Sequence, residues 1–196
     1  MTGLGVLASG SGSNLQAIID ACSDGTLDAR PAVVISNNSG SGALARAREA
    51  GVPALHLSSR TVPDAAELDR AICQALEEYE VDLVITAGYM KKLGTETLRR
   101  FNGHIINIHP SLLPRHGGEG MYGMNVHRAV IEAGDEITGI TIHYVEGDYD
   151  TGPIIAQKEL TVYPDDTPES LSARVLAEEH AFLVATLRVL VAARSP

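Results

Sequence analysis

Short apolar segments alternate with amphipathic helical segments along this chain, and that alternation most constrains its fold. Strands are predicted at 4–8, 32–35, 54–57, 83–86, 105–108, 140–145 and 154–160. Helices are predicted near 13–23, 42–50, 64–79, 94–101, 124–133 and 168–193. Early strands that are each followed by a helix favour parallel pairing. The sequence therefore predicts the α/β class, with a Rossmann-like, doubly wound, mostly parallel sheet in a single domain and ligands at the carboxyl ends of its strands.

Composition narrows the classes of partner. The chain has 196 residues, of which 44% are hydrophobic, and this suits one domain with a sizeable core. A formal net charge of -10 argues against a nucleic-acid partner, because proteins bind phosphate backbones mainly through clustered Lys and Arg side chains. No apolar run is long enough to span a membrane, and the N-terminus carries no basic export region. We therefore expect a cytoplasmic protein that binds neither membrane nor nucleic acid.

A strand end at residues 105–110 brings an amide and an imidazole together. Asn107 and His109 are two residues apart in an apolar run that Pro110 stops, so their side chains share one face of the strand. Asp150 supplies a carboxylate from a later loop. Donors of this kind can stabilise a carbonyl oxygen as negative charge develops on it, and a carboxylate can hold an imidazolium and accept a proton. The alternative is ordinary turn chemistry, in which these polar groups only satisfy loop backbone.

A glycine- and serine-rich loop at residues 8–16 follows the first predicted strand. Gly10 and Gly12 allow the backbone to approach a ligand closely, and the N-terminus of the following helix favours an anion. Ser13 and Gln16 fit a capping box. The loop lacks the third glycine of a dinucleotide site and the lysine of a nucleotide P-loop. We therefore expect phosphate binding here, although a loop of this composition can also be only a turn.

Two motifs together resemble the signature of the folate-dependent formyltransferases. They are Asn-Ile-His-Pro-Ser-Leu-Leu-Pro at 107–114 and Asp-Thr-Gly-Pro at 150–153. The likeness covers nearly the whole chain, including residues 9–18, 87–90 and 179–180. It implies the formyltransferase fold over 1–196, with phosphate binding in the N-terminal half and folate binding and catalysis in the C-terminal half. Within the family, the chain is most similar to members that formylate glycinamide ribonucleotide from 10-formyltetrahydrofolate in purine biosynthesis.

The resemblance also implies a role for particular residues. The catalytic group would be Asn107, His109 and Asp150. The ribonucleotide would contact Gly12, Ser13 and Asn14 through its phosphate and Glu179 through its ribose hydroxyls. The reduced folate would lie against Met90, Lys91, Lys92, Leu93 and Val145.

Some features depart from the family pattern or leave alternatives open. Residues 115–126 form a longer glycine-rich loop than many members have, and Leu176 stands where several members have a polar or basic side chain near the phosphate. A hydrolase releasing formate from the same folate, or the catalytic half of a methionyl-tRNA formyltransferase, would share the motifs. A non-catalytic nucleotide-binding module of Rossmann type is a more distant alternative.

Metal and redox chemistry are not expected. Cys22 and Cys73 lack ligand spacing and fit reduced core thiols. Five other histidines follow no metal-binding pattern, so each is interpreted as a packed or surface imidazole: His104, His116, His127, His143 and His180. The sequence leaves a homodimer open.

Overall fold

The structure is a computed structural model, and it describes residues 1–194. Its strands are β1 (Thr2–Leu7), β2 (Ala29–Ser36), β3 (Ala54–His56), β4 (Leu83–Thr86), β5 (Ile105–His109), β6 (Ile137–Tyr144) and β7 (Ile154–Thr161). Its helices are α1 (Ser13–Ser23), α2 (Gly42–Glu49), α3 (Ala65–Glu78), α4 (Thr95–Arg100), α5 (Met124–Glu132) and α6 (Pro168–Ala192). Every predicted element is present, with ends that differ by a few residues.

The seven strands form one sheet in the order β3-β2-β1-β4-β5-β6-β7. Strands β1 to β5 pair in parallel, whereas β6 is antiparallel to both of its neighbours. The chain moves outward from β1 to β3 and then returns to the other side of β1 with β4. The strand order therefore reverses between β1 and β4, and a crevice opens at the carboxyl ends of these strands. The predicted doubly wound, mostly parallel sheet is confirmed.

Helices cover both faces of the sheet and bury its apolar side chains. On one face, Leu15 of α1, Leu44 of α2 and Leu183 of α6 pack with strand residues and are fully buried. On the other face, Ile72 and Leu76 of α3 pack against the opposite side of the same strands. Fully burying a Leu or Ile side chain contributes about 1.5–3 kcal/mol each, so this double layer holds the strand ends in fixed positions.

Both cysteines are free thiols on helices that pack against the sheet. Burial raises the pKa of Cys22 to about 11, so its thiolate is scarce at neutral pH. Within residues 1–194, no helix has the length and apolar character needed to cross a bilayer.

Candidate active site

A cleft of about 590 Å³ opens at the carboxyl edge of the sheet, across the point where the strand order reverses. Its walls come from the loops after β1, β4 and β5, from the segment between β6 and β7, and from α6. Each residue that the sequence assigns to a catalytic, phosphate, ribose or folate contact lines this cleft: Gly12, Ser13, Asn14, Met90, Lys91, Lys92, Leu93, Asn107, His109, Val145, Asp150 and Glu179. The predicted convergence of these segments is therefore present.

The N-terminus of α1 differs from the sequence-based prediction. Gly12 is the N-cap, with φ of 74°, and no side chain caps the helix. The expected capping box of Ser13 and Gln16 is therefore wrong, because Ser13 already lies in the first turn. Gln16 instead donates to Asp20 and accepts from Arg46. An uncapped helix N-terminus leaves backbone N–H groups available to an anion.

The backbone at Gly12 also packs tightly against α2. A Cβ at Gly12 would lie 2.6 Å from the Cα of Ala43, and it would be attached to a backbone with positive φ. The Nε of Arg46 donates to the carbonyl oxygen of Ser11 at 3.0 Å. The glycine- and serine-rich loop therefore packs against α2, and the N-terminus of α1 faces the cleft.

A buried pair joins this loop to α6. The Nδ2 of Asn14 donates to the Oε2 of Glu179 at 2.8 Å, and both side chains are buried. Burial raises the pKa of Glu179 to about 7, although the hydrogen bond from Asn14 opposes the shift. The Oδ1 of Asn14 is buried and has no hydrogen-bond partner. This wall of the cleft therefore offers an unpaired amide oxygen beside a carboxyl group that titrates near neutral pH.

Asn107 is oriented by the strands on either side of it. The register pairs Asn107 with Thr86 of β4 and with His143 of β6. The hydroxyl of Thr86 donates to the Oδ1 of Asn107 at 2.7 Å, so the Nδ2 must point the other way. That Nδ2 lies 3.3 Å from the Oδ1 of Asp150 and 3.1 Å from the Nε2 of His143. The amide donor is thus preset toward the carboxylate and the cleft.

His109 and Asp150, whose contact the sequence left open, lie next to each other. The Nδ1 of His109 lies 3.5 Å from the Oδ1 of Asp150, and both side chains are less than one tenth exposed. The Nε2 of His109 lies 2.8 Å from the carbonyl oxygen of His116. A Cβ at Gly152 would lie 1.8 Å from the carbonyl oxygen of Tyr144, so only glycine permits the turn that returns Asp150 to this position.

His143 is a site residue that the sequence analysis missed. The sequence indicated only a packed or surface imidazole. His143 is buried, and its Nε2 lies 3.4 Å from the Oδ1 of Asp150 and 3.1 Å from the Nδ2 of Asn107. Its Nδ1 lies 2.8 Å from the carbonyl oxygen of Tyr144. Because a carbonyl oxygen only accepts, this contact places the proton of a neutral His143 on Nδ1. The Nε2 of the neutral ring accepts the hydrogen bond from Asn107, whereas in the protonated ring it donates to Asp150.

The electrostatics of Asp150 favour its charged form. Burial alone would raise the pKa of this carboxyl group. Hydrogen bonding from a protonated His143, the charge of a protonated His109 and the N–H of Gly118 outweigh burial, and the pKa is lowered overall. The Gly118 N–H donates to the Oδ2 of Asp150 at 2.9 Å. A carboxylate with these partners remains ionised at neutral pH and is available as a proton acceptor.

The charge of His109 differs from the sequence-based expectation. Burial lowers the pKa of His109, and the nearby Asp150 and the His116 carbonyl oppose this shift without reversing it. The lowered pKa does not support the expected stable imidazolium. Desolvation of the ring outweighs a carboxylate whose nearer oxygen is 3.5 Å away. His109 is therefore protonated only at lower pH than an exposed histidine would be.

The segment assigned to folate forms a part of the cleft rim that adjoins the phosphate loop. Met90 and Lys91 are exposed and Leu93 is buried. Lys92 is ion-paired with Asp148 at 2.7 Å, which ties this rim to the loop that carries Asp150. The backbone N–H of Met90 donates to the hydroxyl of Ser9 at 2.8 Å. This part of the rim and the phosphate loop are therefore fixed relative to each other.

The two departures from the family pattern also lie at this cleft. Residues 118–123 of the long loop line it, and Gly118 contacts Asp150 directly. Leu176 is 37% exposed and lines the cleft one helical turn before Glu179. The phosphate loop thus faces an apolar side chain rather than a cation at this point of α6.

The fold and cleft define a doubly wound α/β protein with an amide, an imidazole and a carboxylate at its strand-order reversal. Residues 4–187 match the family model described as formyl transferase. The chain belongs to the formyl transferase family.

Named relatives agree with this family. The chain is 41% identical over 182 residues to phosphoribosylglycinamide formyltransferase, chloroplastic, of Arabidopsis thaliana, covering 92% of this chain and 62% of that protein. It therefore spans less than two thirds of the length of that relative. It is 41% identical over 180 residues to phosphoribosylglycinamide formyltransferase of Haemophilus influenzae, covering 92% of this chain and 82% of that protein.

A solved structure supports the same fold. The crystal structure of glycinamide ribonucleotide transformylase 1 from Symbiobacterium toebii matches with a TM-score of 0.92 and 43% sequence identity. The match covers 99% of this chain and 89% of that one. The family resemblance and the formyltransferase fold expected from the sequence are confirmed.

Proposed function

We propose that this protein is an enzyme that transfers the formyl group of 10-formyltetrahydrofolate to the amine of glycinamide ribonucleotide, in purine biosynthesis. The observation that carries the proposal is the convergence of Asn107, His109 and Asp150 in a cleft whose far end is an uncapped helix N-terminus. The names of relatives that cover most of this chain support the same reaction.

The chemical step requires charge stabilisation and one net proton movement. As the amine nitrogen attacks the formyl carbon, negative charge develops on the formyl oxygen, which the Asn107 amide and a protonated His109 would stabilise. The attacking amine loses a proton to the Asp150 carboxylate, directly or through one water. The bond between the formyl carbon and N10 of the folate then breaks, and that nitrogen receives a proton. The substrate amine thus loses a proton, N10 gains one, and no redox partner is required.

The two substrates would occupy opposite ends of the cleft. Gly12, Ser13 and Asn14 lie at the helix end that suits a phosphate, and Glu179 is placed to accept from ribose hydroxyls. Met90, Lys91, Lys92, Leu93 and Val145 line the other end, where the reduced folate would lie. In this proposal the N-terminal half binds the phosphate, and the C-terminal half binds the folate and carries catalysis. A cytoplasmic location and a homodimer stay predictions from the sequence.

Steady-state assays with and without the ribonucleotide test the proposal. The protein is incubated with 10-formyltetrahydrofolate, and the folate product is followed by absorbance. We expect turnover that depends on glycinamide ribonucleotide and saturates with it. Turnover that ignores the ribonucleotide would instead support a hydrolase, and binding of a dinucleotide without any turnover would support a non-catalytic module.

A further inference from the structure

One short stretch of the long loop touches both members of the catalytic pair. The carbonyl oxygen of His116 lies 2.8 Å from the Nε2 of His109. Two residues later, the N–H of Gly118 donates to the Oδ2 of Asp150 at 2.9 Å. The backbone conformation of residues 116–118 therefore bears directly on the geometry of His109 and Asp150.

His116 holds an unfavourable backbone conformation at this point. Its φ is 52°, in the left-handed region that costs a residue with a side chain roughly 1–2 kcal/mol. Such conformations persist where surrounding contacts hold them, and they concentrate at functional sites. The imidazole of His116 is held by Asp135, with its Nε2 2.6 Å from the Oδ2 of that carboxylate. Arg115 pairs with the other carboxylate oxygen.

Asp135 provides a firm support for this contact. Its side chain is 7% exposed. Asp135 lies just after α5, and its backbone N–H donates to the carbonyl oxygen of Val130 within that helix. The hydroxyl of Ser111 donates to the carbonyl oxygen of Arg115 at 2.6 Å and fixes the other side of the segment. The carbonyl group of His116 is thus fixed between α5 and the end of β5.

This arrangement determines which nitrogen of His109 carries a proton in the neutral ring. A backbone carbonyl can only accept, and its 2.8 Å contact with Nε2 is much closer than the 3.5 Å contact between Nδ1 and Asp150. The proton of neutral His109 therefore lies on Nε2, while Nδ1 faces Asp150. The nitrogen partnered by the backbone fixes the tautomer and the orientation of the ring.

We propose that Asp135 and His116 are positioning residues, which set the tautomer and orientation of His109 through the carbonyl group of His116. Neither side chain needs to contact a substrate. The catalytic consequence rests on the proposed formyl transfer, whereas the tautomer is a property of the free protein.

The kinetic test is the variant Asp135→Ala. Loss of the carboxylate releases His116 from its left-handed conformation and displaces its carbonyl oxygen. Misplacement of a catalytic group by about 1 Å can lower the reaction rate roughly 10²-fold. We therefore expect kcat to fall by about 10-fold to 10²-fold. The KM values should change by less than about twofold, because no substrate contact is lost. Asp135→Asn keeps an acceptor for His116 and should recover part of kcat.

Two controls separate positioning from loss of stability. Asp166 is a nearly buried carboxylate paired with Arg174 that does not line the cleft, so Asp166→Ala removes a comparable buried ion pair elsewhere. The side chain of Arg115 is 66% exposed, and Arg115→Ala removes only this exposed partner of Asp135. We expect both variants to retain kcat within about twofold, because neither Asp166 nor Arg115 lines the cleft.

Nitrogen-15 NMR of labelled histidines in the free protein gives the direct readout. At about pH 8, where a His109 of lowered pKa is neutral, we expect the Nε2-protonated tautomer in the wild type and Asp166→Ala. Asp135→Ala should show a mixture of tautomers. An unchanged His109 tautomer in folded Asp135→Ala, or an unchanged kcat, would overturn the proposal. A wild type that has the expected tautomer but no formyl transfer would instead contradict only the proposed function.

Discussion

The Oδ1 of Asp150 lies 3.5 Å from the Nδ1 of His109, on a loop that returns to the end of β5 from the far side of β6. The same oxygen lies within 3.4 Å of the Nε2 of His143. The carboxylate is thus shared between two buried imidazoles, and its low pKa keeps it ionised. A change at Asp150 should therefore alter the protonation of the whole cluster.

Replacing Asp150 by Asn should impair catalysis more than binding. The amide keeps the shape of the carboxylate but removes its charge and its capacity to accept the amine proton. We expect kcat to fall by roughly 10²-fold to 10⁴-fold with little change in substrate affinity. His109→Ala should lower kcat by a similar factor.

The double variant His109→Ala with Asp150→Asn tests whether the pair acts as one unit. Steady-state kinetics should show a combined loss well below the product of the two single losses. Multiplicative losses would mean that the two residues contribute independently.

Asn107→Ala removes the donor that Thr86 presets toward the cleft. Loss of one donor aimed at a developing oxyanion typically costs about 10²-fold to 10³-fold in kcat. Thr86→Val should give a smaller loss, because the amide stays but its orientation is no longer fixed. Single-turnover rates check both variants, and a Thr86→Val variant slower than Asn107→Ala would contradict this order.

Gly12→Val should damage the ribonucleotide site selectively. The new side chain meets Ala43 and strains a backbone with φ of 74°, so the helix N-terminus must shift. We expect a much larger rise in the KM for glycinamide ribonucleotide than in the KM for the folate.

Gly25→Val is the matched control, because Gly25 has φ of 80°, meets no neighbour within 4 Å and does not line the cleft. It should share the backbone strain and leave both KM values unchanged. Equal rises in the two KM values of folded Gly12→Val would disprove a phosphate role for the loop.

Glu179 should make stability depend on pH near neutrality. Its pKa is raised from 4.5 to about 7 in the folded protein, so the neutral form stabilises the fold at low pH. That contribution is lost as pH rises through the pKa of the folded state. Because the pKa differs between the folded and unfolded states, the free energy of unfolding should fall by about 2 kcal/mol between roughly pH 5.5 and 8.

Glu179→Gln imitates the neutral carboxyl group and should lack this component of the pH dependence. Urea unfolding of both proteins at the two pH values measures the difference. Parallel pH dependence of the unfolding free energy would show that Glu179 is not protonated in the folded protein.

The main features of the fold and of the catalytic group were accessible from the sequence. Strand and helix periodicities are local properties, and the parallel order follows from their alternation. Asn107 and His109 were placed on one strand face by their spacing, and Asp150 was added by the family motif. Each of these signals is contained within a short stretch of chain.

The missed features depend on register and on backbone conformation. His143 enters the site because β6 pairs it with Asn107, and no local pattern predicts that antiparallel register. His116 contacts His109 through its backbone carbonyl group, and the positive φ of His116 has no sequence signal. The lowered pKa of His109 depends on burial from several elements, which spacing alone does not provide.

The fate of an isotopically labelled formyl group tests the central claim most directly. The protein is mixed with 10-formyltetrahydrofolate labelled in the formyl carbon and with glycinamide ribonucleotide, and the products are separated by mass. We predict that the label appears as an amide on the ribonucleotide amine in the wild type, and that Asp150→Asn forms this product at least about 10²-fold more slowly. Label recovered as formate, or an equal rate in the variant, would contradict the account.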